Sequence, residues 1–147
     1  MEIDVIDCFD DSLRSEWNAL LNESVSNVPF LRYDFLKSWW EHLGGGEWQQ
    51  PATLALIIAR QDGKLIGAAP CFVTQHLGRK TLLFLGSIEI SDFIDFIVRP
   101  ADEAAFVAEW MQFIQRRLVP EMGIEAVDLY NLLEDSPTIP LLLKEAE

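Results

Sequence analysis

The 147-residue chain is predicted to form one α/β domain, in which a mixed, mostly antiparallel sheet is flanked by helices. Three observations favour this fold class. Three almost continuously apolar runs follow one another in the middle of the chain, amphipathic helical patterns lie before and after them, and 50% of the residues are hydrophobic. Strands that are apolar on both faces need cover on both faces, so we expect helices on the two sides of the sheet.

The first strand and the first helix are predicted from the start of the chain. The stretch "EIDVIDCF" alternates with a period of two, which places Ile3 and Val5 on one side of a strand. Asp10, Asp11 and Ser12 can then cap the amino end of a helix. The inward face of that helix is formed by residues at helical spacing: Leu13, Trp17, Leu20 and Leu21.

A second helix is predicted within "FLRYDFLKSWWEHLGGG", which follows Pro29. Its apolar residues form one wide face at helical spacing. These residues are Leu31, Phe35, Leu36, Trp39, Trp40 and Leu43. The glycines at 44–46 are expected to end this helix.

Three strands are predicted next, in "TLALIIAR", "LIGAAPCFV" and "KTLLFLG". Asp62-Gly63 between the first two is a strong hairpin signal, and the loop around Gly78 returns the chain to the third strand. Pro70 lies inside the second strand and cannot donate a hydrogen bond to a neighbour. It therefore predicts a bulge or an edge at that point.

The stretch "GSIEISDFIDFIVRP" at 86–100 combines three acids with an apolar run. In a regular strand Asp92 and Asp95 would point to opposite faces, so either face would bury a carboxylate, which is costly without a partner. We therefore expect this segment to leave the sheet near Ser91. A long helix then begins at Pro100 and Asp102, and a further strand is predicted in "IEAVDLYNL". A last helix is predicted to start at Pro137.

Composition excludes several classes of function. The net charge is −13 and no basic cluster occurs, which argues against nucleic acid and against anionic membrane surfaces as partners. Neither a secretory signal nor an apolar run of the ~20 residues that span a bilayer is found. Cys8 and Cys71 have neither metal-ligand nor disulfide-framework spacing. We interpret them as two reduced core thiols of a cytoplasmic protein.

Motifs for hydrolytic or metal chemistry are weak. The chain has no G-x-S-x-G, and its two histidines are expected at a helix end (His42) and exposed in a hairpin loop (His76). Glu89, Asp92 and Asp95 offer oxygen ligands, but strand geometry separates the last two and no histidine supports them. We therefore predict no metal site.

Four motifs in order resemble one family of acyltransferases. They are "PFLRYDFLKSWWEHLG", "DGKLIGAAPCFV", "LLFLGS" leading to "SDFIDFIVRP", and "VDLYNLLEDSP". With the element order, they resemble the amino-terminal half of the GNAT-like acetyltransferase family associated with cellulose and exopolysaccharide biosynthesis and distantly related to Fem peptidyltransferases. The resemblance runs from about Trp17 to Pro137. It departs at Arg32-Tyr33, where the family more often has Ser-Pro.

The resemblance implies a two-half enzyme of which this chain, residues 1–147, is one GNAT-like half and a fragment, incomplete at its carboxyl end. The complete enzyme would transfer an acyl group from acetyl-CoA or another acyl-CoA to an amine or hydroxyl of a small molecule or saccharide. The partner would be a carboxyl-terminal GNAT half, on the same or a separate chain, which would hold the acyl-CoA. Two alternatives remain: a stand-alone binding or scaffold domain, and a hydrolase that uses its acids.

This half is predicted to bind no cofactor. Gln75-x-x-Gly78 partly matches the pyrophosphate loop of acetyltransferases, but a strand follows it and Lys80 replaces the last small residue, so a hairpin loop is expected. The helix that would grip pyrophosphate begins with Asp102 and Glu103, whose carboxylates repel an anion.

Candidate acceptor-binding residues are Ser91, Asp92 and Asp95, since the resemblance places their segment beside the other half. Their carboxylates could orient an acceptor by hydrogen bonds, while a general-base role has less support. The alternative is that these acids cap local amides or pair with Arg99.

Overall fold

The structure, a computed structural model, describes residues 1–45, 51–86 and 91–147. Within them, six strands form one mixed sheet in the order β1-β2-β3-β4-β6, with β5 also paired to β3. Only β4 and β6 are parallel. The strands are β1 (Glu2–Ile6), β2 (Thr53–Gln61), β3 (Lys64–His76), β4 (Arg79–Phe84), β5 (Ile97–Val98) and β6 (Ala126–Asp128).

Helices connect the strands in the predicted order. The two helices α1 and α2 lie between β1 and β2, α3 and α4 lie between β5 and β6, and α5 follows β6. Their bounds are α1 (Arg14–Asn22), α2 (Tyr33–Leu43), α3 (Glu103–Phe113), α4 (Val119–Met122) and α5 (Thr138–Ala146). A π-helical turn (Ile114–Leu118) joins α3 to α4. The predicted α/β class, with a mostly antiparallel sheet flanked by helices, is confirmed.

The first helical region follows its predicted pattern. Asp10 Oδ1 accepts a hydrogen bond of 2.9 Å from Ser12 N, which caps a short 3₁₀ turn (Asp11–Leu13) that leads into α1. All four residues of the predicted α1 face are buried. In α2 the end of the predicted face differs, because the helix ends at Gly44 and leaves Leu43 53% exposed. Gly46 lies outside the described residues.

Pro70 lies in the internal strand β3, so the expected edge is wrong. The amide of Leu85 donates to Pro70 O at 2.8 Å, and the N and O of one strand residue point to the same side. On that side the neighbour of β3 changes from β4, which pairs from Cys71 onward, to β5, which pairs at Ala68. Pro70 therefore lacks its N–H at the point where the segment between β4 and β5 leaves the sheet, so no hydrogen bond of the ladder is lost there.

The long helix α3 packs on the sheet at Gly67. A Cβ atom at Gly67 would lie 2.3 Å from Phe106 Cδ2, so only glycine allows this close approach. The helix then widens into the π turn just before Pro120, which lacks the N–H that an α-helix would bond to the carbonyl of Arg116. The apolar pattern of this helical region predicts an inward face, and its residues are buried apart from Met111, which is partly buried: Phe106, Val107, Trp110, Met111, Phe113 and Ile114.

The two cysteines have different environments. Cys71 lies in the middle of β3 and is fully buried, which raises the pKa of its thiol. Cys8 follows the end of β1 and is exposed, so its assignment to the core is wrong. Both thiols are free. No helix in the described ranges is both long and apolar enough to cross a membrane.

Candidate functional site

Residues 91–96, which include Asp92 and Asp95, lie outside the strand ladder, as expected from the pattern of the acidic stretch. Pairing of β3 with β4 ends at Cys71–Phe84 and resumes with β5 at Ala68–Ile97. Residues 91–96 therefore form an excursion between two strands that pair with the same neighbour. Glu89, the first acid of the segment, lies outside the described residues.

Asn131, just beyond β6, holds this excursion in place. Its side-chain Nδ2 donates to the backbone oxygen of Ser91 at 2.7 Å, and its own backbone oxygen accepts from Ile94 N at 3.1 Å. Asn131 has a φ of 67°, in the left-handed region that asparagine tolerates better than most residues. One residue thus makes both a side-chain and a backbone contact with the acidic segment.

Asp95 is the centre of a buried polar cluster. The residue is only 5% exposed, and its Oδ1 accepts from Phe96 N at 2.7 Å. Its Oδ2 accepts from the hydroxyl of Ser136 at 2.6 Å, and Thr138 Oγ1 lies 2.6 Å from its Oδ1. These contacts compensate the carboxylate for the water it loses on burial.

A second carboxyl group enters the same cluster from the first turn of α3. Glu103 is 4% exposed, and its Oε1 lies 2.9 Å from Thr138 Oγ1. Burial raises the pKa of the Glu103 carboxyl, and the charge of Asp95 raises it further. The hydrogen bond with Thr138 acts in the opposite direction and lowers this pKa. We call Asp95, Glu103, Ser136 and Thr138 the carboxyl cluster.

Among the described residues, no cation balances this cluster. No Lys or Arg of these ranges lies within ion-pairing distance of Asp95 or Glu103. Arg99 instead bonds to Glu23 at 2.7 Å and lies 3.9 Å from Asp102. Of the two structural alternatives for the acids, pairing with Arg99 is therefore not observed, whereas capping of a local amide is observed for Asp95.

The three candidate acceptor residues have different surroundings. Asp92 is exposed, Asp95 is buried in the carboxyl cluster, and Ser91 is fully buried with no hydrogen-bond partner for its hydroxyl among the described residues. In this conformation only the Asp92 carboxylate is open to an acceptor. The role of these residues in binding an acceptor stays a prediction.

His76 is not exposed in a loop, so that expectation is wrong. Its side chain is 11% exposed, and its Nε2 lies 2.9 Å from Tyr130 OH and 3.8 Å from Asp128 Oδ2. Burial and the charge of Asp128 raise the pKa of Tyr130. Alternation places His76 on the same sheet face as Phe72, but it does not relate His76 to Asp128 or Tyr130, which lie more than 50 residues further along the chain.

The loop that partly matched a pyrophosphate motif is a hairpin. The positive φ values of Leu77 and Gly78 form the turn, and β4 begins at Arg79. A strand rather than a helix follows it, so its amides have no helix amino end to complete an anion site. In the described part of the chain, no three His, Cys, Asp or Glu side chains are grouped to hold a metal ion.

Comparison with known proteins gives structural but not sequence neighbours. No protein-family model matches the chain, and no curated protein matches its sequence. An aminoglycoside antibiotic 6'-N-acetyltransferase from Acinetobacter haemolyticus aligns with 100% of this chain and 90% of its own, with a TM-score of 0.59 and 12% identity. A Trypanosoma brucei acetyltransferase aligns with 97% and 89%, with a TM-score of 0.54 and 14% identity.

A wild-type protein from Thermus thermophilus is a further structural neighbour, with 99% and 87% of the two chains aligned, a TM-score of 0.54 and 14% identity. At these identities the likeness shows the fold and not the activity. The chain therefore has the fold of the GNAT acetyltransferases.

Proposed function

We propose that this chain is the amino-terminal, acceptor-binding half of a GNAT-fold acyltransferase. The complete enzyme transfers an acyl group from acyl-CoA to an amine or hydroxyl acceptor. A second GNAT-fold half, on the same or a separate chain, binds the acyl-CoA. The acceptor is a small molecule or a saccharide, with cellulose or exopolysaccharide biosynthesis as the setting.

The observation that carries this proposal is the acidic amino end of α3. In an anion-binding helix the first free amides and the positive end of the dipole face the anion. Here Asp102 is the N-cap residue and the Glu103 carboxyl is buried beside Asp95. A polyphosphate at this helix end would meet the acids Asp102 and Asp95 and the net charge of −13. A GNAT-fold enzyme needs a site for the pyrophosphate of acyl-CoA, and this acidic helix end does not supply one. We therefore assign the binding of acyl-CoA to the other half.

Asp92 supplies the acceptor contact in this proposal. It is exposed on the excursion whose backbone is held by Asn131 and Asp95. A charged carboxylate on a segment held at both ends can accept hydrogen bonds from a hydroxyl or an amine in a fixed orientation. Asp95 then acts as a positioning residue, because its oxygens are already engaged by hydroxyl and amide groups.

Titration calorimetry with acetyl-CoA at moderate salt tests the division between halves. We expect no binding heat from this chain alone with ligand concentrations in the high micromolar range. The same titration of the chain joined to a second GNAT half is the positive control. Micromolar binding by this chain alone would contradict the proposed assignment of roles.

A stand-alone binding or scaffold domain is the second candidate. The structural alignments support it, since they extend over 87–90% of the neighbouring chains and thus over a domain of similar size. A turnover assay with acyl-CoA and a panel of amines and saccharides separates the two. Turnover by the two-half protein that Asp92→Asn abolishes supports the acyltransferase, and acceptor binding without any turnover supports the scaffold.

A further inference from the structure

The carboxyl cluster contains one hydrogen fewer than its contacts require. Thr138 Oγ1 lies 2.6 Å from Asp95 Oδ1 and 2.9 Å from Glu103 Oε1, and both distances are those of hydrogen bonds. A threonine hydroxyl has a single hydrogen to donate, whereas an ionised carboxylate can only accept. One of the two contacts therefore needs a hydrogen from a carboxyl group.

Glu103 is the carboxyl group that fits this requirement. Asp95 already accepts from Phe96 N at 2.7 Å and from Ser136 Oγ at 2.6 Å, and donors of this kind stabilise an ionised carboxylate. The Thr138 hydrogen goes to Asp95 over the shorter contact. Glu103 is buried and has the Asp95 charge beside it, both of which favour its neutral form.

The charges nearest to the cluster along the chain do not offer an ionised Glu103 a partner. Asp92 lies on the excursion, Asp102 precedes Glu103 on α3, and Asp135 precedes Ser136 before α5. All three are acids, and Arg99 is engaged by Glu23 and Asp102. Ionisation of Glu103 would thus put a second negative charge into an uncompensated site.

We propose that a proton on Glu103 holds α5 against α3 through Thr138, a contact we call the latch, and that loss of this proton releases α5 and uncovers Asp95. Thr138 is the first residue of α5 and is fully buried in the cluster. Ser136 supports it, since its hydroxyl oxygen accepts from Thr138 N at 3.1 Å. The latch does not depend on the chain being an acyltransferase.

The direction of the pH effect follows from the protonation states. A carboxyl that keeps its proton in the folded chain but loses it in the unfolded chain gives the folded state more bound protons. This contribution to stability is complete below the ordinary pKa of a glutamate, about 4.3. This contribution to stability is lost as the pH rises from the ordinary pKa of a glutamate through the raised pKa of Glu103. A rise in pH through the pKa of Glu103 therefore opens the latch.

A carbon NMR titration of the Glu103 carboxyl tests whether this group keeps its proton to a higher pH than an exposed glutamate. The signal is assigned by triple-resonance methods on the unaltered chain, and the exposed Glu109 of the same helix is the internal reference. We expect the Glu103 midpoint to lie above that of Glu109. Equal midpoints for the two groups would overturn the proposal.

Amide hydrogen exchange in α5 tests the latch. We expect protection of α5 amides to fall at least tenfold across the Glu103 midpoint, after correction for the intrinsic pH dependence of exchange. Glu103→Gln keeps a donor beside Thr138 without an ionisable group, so its α5 protection should stay constant over this range. Glu109→Gln is the matched control and should behave as the unaltered chain. A raised midpoint with constant α5 protection in the unaltered chain would overturn the latch.

Discussion

Asp95 occupies a position that the apolar pattern of its segment assigns to the core. Within the described ranges its carboxylate is stabilised not by a cation but by a backbone amide and two hydroxyl groups. Such charge-assisted hydrogen bonds are stronger than neutral ones, and their loss leaves buried donors unsatisfied. Asp92, three residues earlier, has an exposed side chain and no such constraint.

Substitution of the two aspartates should therefore have unequal effects. Asp95→Asn turns one acceptor oxygen into an amide group that faces a donor, so we expect a loss of about 1–3 kcal/mol in the free energy of unfolding. Asp92→Asn is the matched control and should change it by less than about 0.5 kcal/mol. Urea denaturation of the two variants measures both values.

Turnover of the two-half protein completes this comparison. If Asp92 contacts the acceptor, Asp92→Asn lowers turnover while the melting temperature stays unchanged. If turnover per folded molecule is intact in both variants, neither acid contacts the acceptor and the site assignment is wrong. Equal stability of the two variants would contradict the role of Asp95 in the carboxyl cluster.

Residue-scale partners were only partly predictable from the sequence. The cost of burying Asp95 predicted that the segment leaves the sheet, and the amide of Phe96 is a local partner. Ser136 and Thr138 lie 41 and 43 residues further along the chain, and no pattern in the sequence relates them to Asp95. The contact of His76 with Tyr130 spans 54 residues and was missed for the same reason.

At the scale of elements, the excursion at 91–96 depends on the turn that follows β6. Asn131 contributes two separable features to that turn: a side-chain hydrogen bond to Ser91 and a residue that tolerates a φ of 67°. Glycine keeps the second feature and removes the first, whereas alanine removes both. This difference allows the two contributions to be measured apart.

We expect Asn131→Gly to lower the free energy of unfolding by about 1 kcal/mol, through the lost hydrogen bond. Asn131→Ala should lower it by about 1–2 kcal/mol more, because alanine in the left-handed region is strained. In both variants the amide of Ile94 should exchange faster, since its acceptor is the backbone oxygen of residue 131. Equal stability of the two variants, or unchanged exchange at Ile94, would contradict this anchoring.

Periodicity predicted most elements, and the exceptions have physical reasons. Apolar residues at helical spacing located α1, α2 and α3, and the Asp62-Gly63 signal located the turn between β2 and β3. The two-residue strand β5 was not predicted, because it exists only through pairing with Gly67 and Ala68. The π turn was also missed, since it depends on how Pro120 interrupts a pattern that otherwise continues.

At the scale of the whole molecule, the sheet ends in β1 on one side and β6 on the other. Strand β6 has only three residues and, among the described strands, pairs with β4 alone. Its Val127 is 39% exposed and lies in an apolar groove of about 250 Å³ together with Met111 and Ile124 of the neighbouring helical region. An uncovered edge of this kind favours association with another strand.

We expect the isolated chain to self-associate through β6. The net charge of −13 opposes contact between copies, so association should strengthen as salt screens this repulsion. Sedimentation velocity over a range of protein and NaCl concentrations measures the effect. Val127→Lys adds a charge at the edge and should restore the monomer, whereas Leu77→Lys, at a residue 77% exposed in the β3–β4 turn, is the matched control and should not. A monomer at all concentrations in the unaltered chain would show that β6 needs no further cover.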